Sequence, residues 1–137
     1  MSEQTSSGVM AGSGVMAGKR GLIMGVANDR SIGWGIASKL AEQGAELAFT
    51  FQGEALQKRV VPLAASAGSD LVLPCDVTDE ASVDAVFDRL RSEWGTLDFV
   101  LHAIAYSDKE ELKGGYVDTT RDNFRRTMDI SVYSFTE

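Results

Sequence analysis

From Lys19 to its last residue the chain alternates strand-like and helix-like segments without a break, and few folds accommodate such an alternation. Residues 21–26 form a short apolar run that ends in Gly25 and a polar loop. Over 31–43, Ile32, Ile36 and Leu40 recur every four residues with Ala37 and Ala41 beside them. That spacing marks one helix face, and Gly44 stands where a left-handed C-cap belongs. Residues 46–51 and 71–75 read as the second and third strands. Between them, 54–67 is helical in pattern, and Pro62, which has no N–H and crowds the preceding turn, is expected to kink it or start a new turn. The next helix has the clearest pattern. Thr78 is placed to cap it, Asp79 and Glu80 complement the positive end of its dipole, and Val83, Val86, Phe87, Leu90 and Trp94 form its apolar stripe up to Gly95. Residues 99–104 are a fourth strand, followed by a polar loop through Gly115. A last helix is expected to start near Thr119, with a Thr119…Asp122 capping-box spacing, and to carry Phe124, Met128 and Phe135 inward.

Strands and helices in strict turn predict an α/β fold, a doubly wound parallel sheet of about four strands with helices on both faces. Right-handed crossovers give the strand order 3-2-1-4 and leave a ligand crevice where strands 1 and 4 diverge. A complete sheet of this kind carries more strands, and strand 4 would otherwise be an uncovered apolar edge. The sequence therefore reads as part of a larger protein.

Composition narrows the function. The 137 residues suffice for one domain with a real core, and 44% hydrophobic with 24% charged residues is ordinary for a soluble globular protein. A formal net charge of -7 argues against sequence-blind nucleic-acid binding, which needs clustered Lys and Arg. Cys75 is the only cysteine, so no internal disulfide can form, and a reducing, cytoplasmic setting is expected. One cysteine and one histidine cannot make a typical zinc cluster, and no carboxylate spacing suggests another metal. No apolar run approaches the roughly 18 residues that cross a bilayer. Residues 1–18 lack the basic and apolar regions of a signal peptide; 7–12 and 13–18 both read Ser-Gly-Val-Met-Ala-Gly. They are expected to be a flexible tail, with the folded domain spanning 19–137.

The most informative loop joins the first strand to the first helix. A dinucleotide's pyrophosphate binds at such a junction, because free backbone N–H groups and the positive end of the helix dipole converge there. The usual G-x-G-x-x-G fingerprint is absent. In its place stands G-x5-S-x3-G-x-A, from Gly25 through Ser31 and Gly35 to Ala37. Gly25 permits the sharp turn, Ser31 offers a hydroxyl and a backbone N–H, and Gly35 is expected to let helix and strand pack closely. A Rossmann-type, dinucleotide-binding domain follows from this context. Its second strand ends in neutral Gln52, between Phe51 and Gly53, where a 2′-phosphate would find no adjacent cation. NADH is favoured over NADPH on that ground, with Lys58 and Arg59 the nearest reservation.

The G-x5-S-x3-G-x-A spacing with Ser31-Ile32 opening the helix resembles the divergent short-chain dehydrogenases that act as enoyl-acyl-carrier-protein reductases. Blocks 44–52, Cys75-Asp76-Val77 and 129–135 resemble the same family at the same intervals, so the likeness runs from about Lys19 to Glu137. Gly33 departs from it, where the family commonly carries alanine. The resemblance implies that Gly25, Ser31 and Ile32 hold the pyrophosphate and its ribose, and that Gln52 lies by the adenosine ribose. It implies that Asp76 accepts from the adenine amino group with Val77 beside it, that Ile104 contacts the cofactor, and that Ser107 falls near the substrate carbonyl. It further implies an enoyl-acyl-carrier-protein substrate and a homotetramer at full length.

The chemistry that such a family performs needs more than this. Hydride added to the β-carbon of an enoyl thioester leaves negative charge on the thioester oxygen, which a tyrosine can stabilise while a lysine holds the cofactor ribose. Enoyl reductases place these as Tyr-x6-Lys, about two helical turns apart on one face; related dehydrogenases use Tyr-x3-Lys. Tyr106 and Lys113 match the first spacing literally. Their interval follows strand 4 directly and precedes Gly114-Gly115, whereas the family's pair lies on a long helix after a fifth strand. They are not assigned. Tyr116 and Tyr133 have no lysine at either spacing, so no catalytic residue is assigned and the pair is expected beyond Glu137. His102, inside strand 4, is expected to be structural, as are Cys75, Trp34 and Trp94. The alternatives are another short-chain dehydrogenase, against which the Ser31 spacing and Gln52 weigh, and a non-catalytic nucleotide-binding module.

Overall fold

The computed structural model describes residues 14–137. The first copy of the repeat, 7–12, lies outside the described residues. The four strands are β1 (Arg20–Met24), β2 (Glu46–Phe51), β3 (Val72–Pro74) and β4 (Phe99–His102). They form one parallel sheet in the expected order β3-β2-β1-β4. Ile23 lies opposite Phe49, and Phe49 opposite Val72.

Alternation along the strands divides the core in two. Ile23, Leu47 and Phe49 face one way, onto α1 (Ile32–Glu42) and α2 (Glu54–Ser66), where Ala37, Val60 and Ala64 meet them. Leu22, Met24 and Ala48 face the other way, onto Val83, Val86 and Leu90 of α3 (Glu80–Trp94). Burying a side chain the size of Leu22 or Ile23 contributes about 1.5–3 kcal/mol, so both faces of β1 anchor the domain. Trp34 packs on Phe49, and the indole N–H of Trp94 donates to Glu46, which agrees with packing roles for both.

Several local expectations are corrected. Ile32 is 81% exposed, and the buried face of α1 is Gly33 and Ala37. The helix lies so close to the sheet that small residues must face it: a Cβ on Gly33 would stand 3.3 Å from the Ala103 methyl and 3.5 Å from Val26 Cγ2. A Cβ on Gly35 would meet nothing within 4 Å, so the close approach expected of Gly35 is made by Gly33. Helix α2 runs through Pro62 without ending. Asp79, not Thr78, caps α3, accepting from the Ala81 N–H at 3.2 Å. Gly95 ends that helix at φ 74°.

The last helix, α4 (Arg121–Met128), is capped by Thr120, one residue later than expected, through the Asn123 N–H. It passes into wider π-helical turns at Asp129–Tyr133 and a final turn at Ser134–Thr136. Phe124, Met128 and Phe135 do not point inward; they are exposed, and Asn123 and Ile130 are buried instead. Small polar side chains dock this helix. Asn123 Nδ2 and Thr127 Oγ1 reach Ser107 Oγ at 3.1 and 3.2 Å, and Ser131 Oγ donates to the Tyr106 carbonyl at 3.2 Å.

Gly14–Gly18, assigned to the tail from sequence, packs on the domain. Met16 N–H donates to the Gln43 carbonyl at 2.9 Å, and the Met16 side chain joins the α1 side of the core.

Candidate dinucleotide site

The carboxyl ends of all four strands open into one cavity of about 330 Å³. Gly25 begins its floor. It takes φ 98°, and a Cβ there would fall on the Ala103 carbonyl that follows β4, so the β1 turn requires glycine on two counts. Beyond it, Ser31 Oγ accepts from the Ala27 and Asn28 N–H groups, both at 3.0 Å, and shapes the loop. The Ser31 N–H, expected free for a ligand, instead donates to the Asn28 carbonyl at 3.2 Å. The hydroxyl proton stays available, since the oxygen only accepts. The amides of the first turn of α1, from Ile32 on, have no intrahelical acceptor and carry the positive end of the helix dipole.

On the opposite wall, Gln52 follows β2 and Asp76 follows β3. Gln52 Nε2 donates to Asp76 Oδ2 at 3.2 Å. The other carboxylate oxygen accepts from the Thr78 N–H at 2.9 Å and the Thr78 hydroxyl at 2.7 Å. Those Thr78 bonds, helped by Gln52 and the charge of Arg126, hold the Asp76 carboxyl below its ordinary range. It is an ionised acceptor at neutral pH. Thr78, expected as a helix cap, therefore serves the site. Beside it, burial pushes the Cys75 thiol up, which keeps it protonated and a poor nucleophile.

Gly25, Gln52, Asp76, Val77 and Ile104 all line this cavity. Ser31 and Ile32 open α1 next to it without lining it. Ser107 does not line it; its hydroxyl is taken up by Asn123 and Thr127. Of the Tyr106/Lys113 pair, Tyr106 lines the cavity, while Lys113 pairs with Glu110 at 3.0 Å away from it. Sequence reasoning missed Tyr106, Arg126 and Ile130 as lining residues. Arg126 and Ile130 are four apart, a helical spacing that points both to one side, but nothing in the sequence says which side faces a ligand.

His102 is tied to structure. Its Nε2 lies 2.8 Å from Ser134 Oγ, and that hydroxyl donates to the Ile130 carbonyl at 2.6 Å. No group of three or more metal-capable side chains occurs among the described residues. No helix among them is long and apolar enough to cross a membrane.

A dinucleotide asks for backbone amides at its pyrophosphate, a hydrogen-bond acceptor at a free ribose hydroxyl and another at the adenine amino group. Gln52 and Asp76 present groups of the last two kinds to one cavity, and the α1 amides open beside it.

The chain is 71% identical over 124 residues to the enoyl-[acyl-carrier-protein] reductase [NADH] 2 of Rhizobium meliloti, and 49% identical to a Rickettsia felis enoyl-[acyl-carrier-protein] reductase [NADH]. Each match covers 90% of this chain and 46% or 48% of the relative, so the chain spans about half the length of the relatives it matches. Among solved structures, it superposes on the FabI of Candidatus Liberibacter asiaticus with a TM-score of 0.88 at 56% identity, over 90% of this chain and 48% of that one. The Anaplasma phagocytophilum enoyl-(acyl-carrier-protein) reductase, solved in complex with NAD, superposes with a TM-score of 0.87 at 57% identity, over 90% and 47%. The family model for enoyl-(acyl carrier protein) reductase matches residues 25–137, from the β1 turn through α4. Strand order, site and relatives converge, and the chain belongs to the enoyl-(acyl carrier protein) reductase family.

Proposed function

We propose that this chain supplies the NADH-binding half of an enoyl-acyl-carrier-protein reductase, which reduces the trans-2 double bond of an acyl-carrier-protein thioester in fatty acid elongation. The observation that carries it is the Gln52–Asp76 pair at 3.2 Å, facing the β1–α1 turn across one cavity. The dinucleotide-binding domain then comprises the sheet and its helices through Glu137, with the Gly14–Gly18 turn packed on it. NADH bound there supplies the hydride.

The chain's own residues bind and orient. Gly25 lets β1 turn beneath the pyrophosphate, the α1 amides from Ile32 on donate to it, and the Ser31 hydroxyl proton reaches the adjoining ribose. Gln52 offers its carbonyl to the adenosine ribose while its amide stays on Asp76. Asp76 accepts from the adenine amino group with Val77 beside it, and Ile104 closes the apolar side. Ser107, turned into the seam with α4, holds the loop towards the substrate. The neutral end of β2 favours NADH over NADPH; Lys58 and Arg59 are exposed and outside the cavity lining, which supports that preference. A Tyr-x6-Lys pair in the remaining half of the reductase, a cytoplasmic location and a homotetramer complete the reading.

Parallel titrations of the purified chain with NADH and NADPH test it. Tighter NADH binding, with no turnover of crotonyl thioester by the 137 residues alone, is the expected result. Tighter NADPH binding, or turnover, would overturn it.

A further inference from the structure

Arg126 lends its charge to Asp76 across the cavity but makes no direct contact with that carboxylate. It lines the cavity, yet among the described residues it has no carboxylate within 4.0 Å and donates no hydrogen bond. An unpaired guanidinium normally turns out into water, where its five donors are satisfied. Arg126 is likewise solvent-exposed, and its Cζ lies 4.7 Å from the centroid of the Tyr106 ring, over the ring face at the cavity wall. The platform under it is fixed. Tyr106 N–H donates to Ser131 Oγ at 3.0 Å, and Ser131 Oγ returns to the Tyr106 carbonyl at 3.2 Å, clamping the tyrosine's backbone to the helix that carries Arg126. Ile130, one turn further along, lines the same cavity.

We propose that Arg126, backed by Tyr106, is the stacking surface for the cofactor's adenine ring, a positioning residue for the dinucleotide. This rests on the reading of the cavity as an NADH site. Two groups then grip the base in different directions. Asp76 takes the amino group at its edge, in the ring plane, and Arg126 covers a face. A guanidinium suits that second task because it is planar and weakly hydrated, and it can stack on an aromatic ring on each side. Arginine planes and tyrosine rings are also the surfaces on which proteins stack unpaired bases. A lysine would supply charge without the plane.

Binding of NADH, NADPH and AMP to the purified chain, its Arg126→Leu and Arg126→Lys variants, with a thermal unfolding midpoint for each, tests the assignment. Arg126→Leu is expected to weaken all three ligands by a similar factor, about tenfold, at an unchanged midpoint. Arg126→Lys should recover little of the loss. Loss confined to NADPH would make Arg126 a phosphate contact, and full recovery by lysine would make it a point charge; either overturns the proposal. So would a lowered midpoint in step with the weaker binding, loss for NADH without loss for AMP, or no loss at all. Failure of the unaltered chain to bind NADH would instead sink the nucleotide site itself.

Discussion

Thr78 donates twice to one oxygen of Asp76 and Gln52 once to the other, so the carboxylate stays ionised at acidities where a free side chain would be protonated. A carboxyl whose folded pKa is depressed contributes binding and stability above its unfolded value, about 3.9, and loses both only as pH falls through the depressed one. NADH affinity is therefore expected to be flat from neutral pH down through the ordinary carboxylate range. Thr78→Val removes the hydroxyl bond and should move the acid loss of NADH binding to higher pH, which a pH series of titrations would read; identical acid limbs would exclude Thr78 as the cause. The glycines give a second residue-level test. Gly35→Ala, with open space at its Cβ, should gain about 0.5–1 kcal/mol of helix stability. Gly25→Ala meets both a positive φ and the Ala103 carbonyl and should cost more than about 2 kcal/mol in urea unfolding. Which glycine of the loop faced the sheet was not legible in the sequence. The motif pointed to Gly35, and the packing that selects Gly33 depends on where Ala103 and Val26 arrive from other elements.

The strands, by contrast, were legible because they alternate with helices and burial on both faces makes the runs apolar. β2 starts and ends at the predicted residues, while β1 and β4 are shorter at their carboxyl ends, where the chain leaves the sheet to line the cavity. Helix α4 was misphased for a physical reason. Hydrophobic periodicity assumes an oily inner face, and this helix is docked by Asn123, Thr127, Ser131 and Ser134, residues that look solvent-facing in a sequence. Asn123 carries most of that seam. It is 8% exposed, gives its amide to Ser107 and takes the Asp108 N–H at 2.9 Å. Asn123→Ala should cost about 1–3 kcal/mol, since it strands the Asp108 amide in a part-buried site. Chemical denaturation would measure it, and a near-neutral result would mean that α4 is held by something other than these bonds.

For the molecule as a whole, the crevice could be anticipated because backbone topology dictates it: it forms where β1 and β4 part. Tyr106 and Arg126 could not, since they reach the crevice from a loop and a helix whose orientation only tertiary contacts decide. The outer edge of β4 has no strand partner among the described residues, and Phe124, Val132 and Phe135 are exposed on the α4 segment. Unpaired edges and apolar patches associate. The purified chain is expected to self-associate with rising concentration in sedimentation equilibrium; a strict monomer throughout would show that these surfaces are not adhesive.

Cys75 lies where the cofactor's adenine half is proposed to sit, 7% exposed and with its thiol held protonated. Alkylation there must wait for the site to open and the proton to leave, so its rate measures how often the cavity is empty. A bound dinucleotide should slow that reaction in proportion to the fraction of molecules it fills. The lone sulfur is thus a built-in occupancy gauge that needs neither a label nor a turnover.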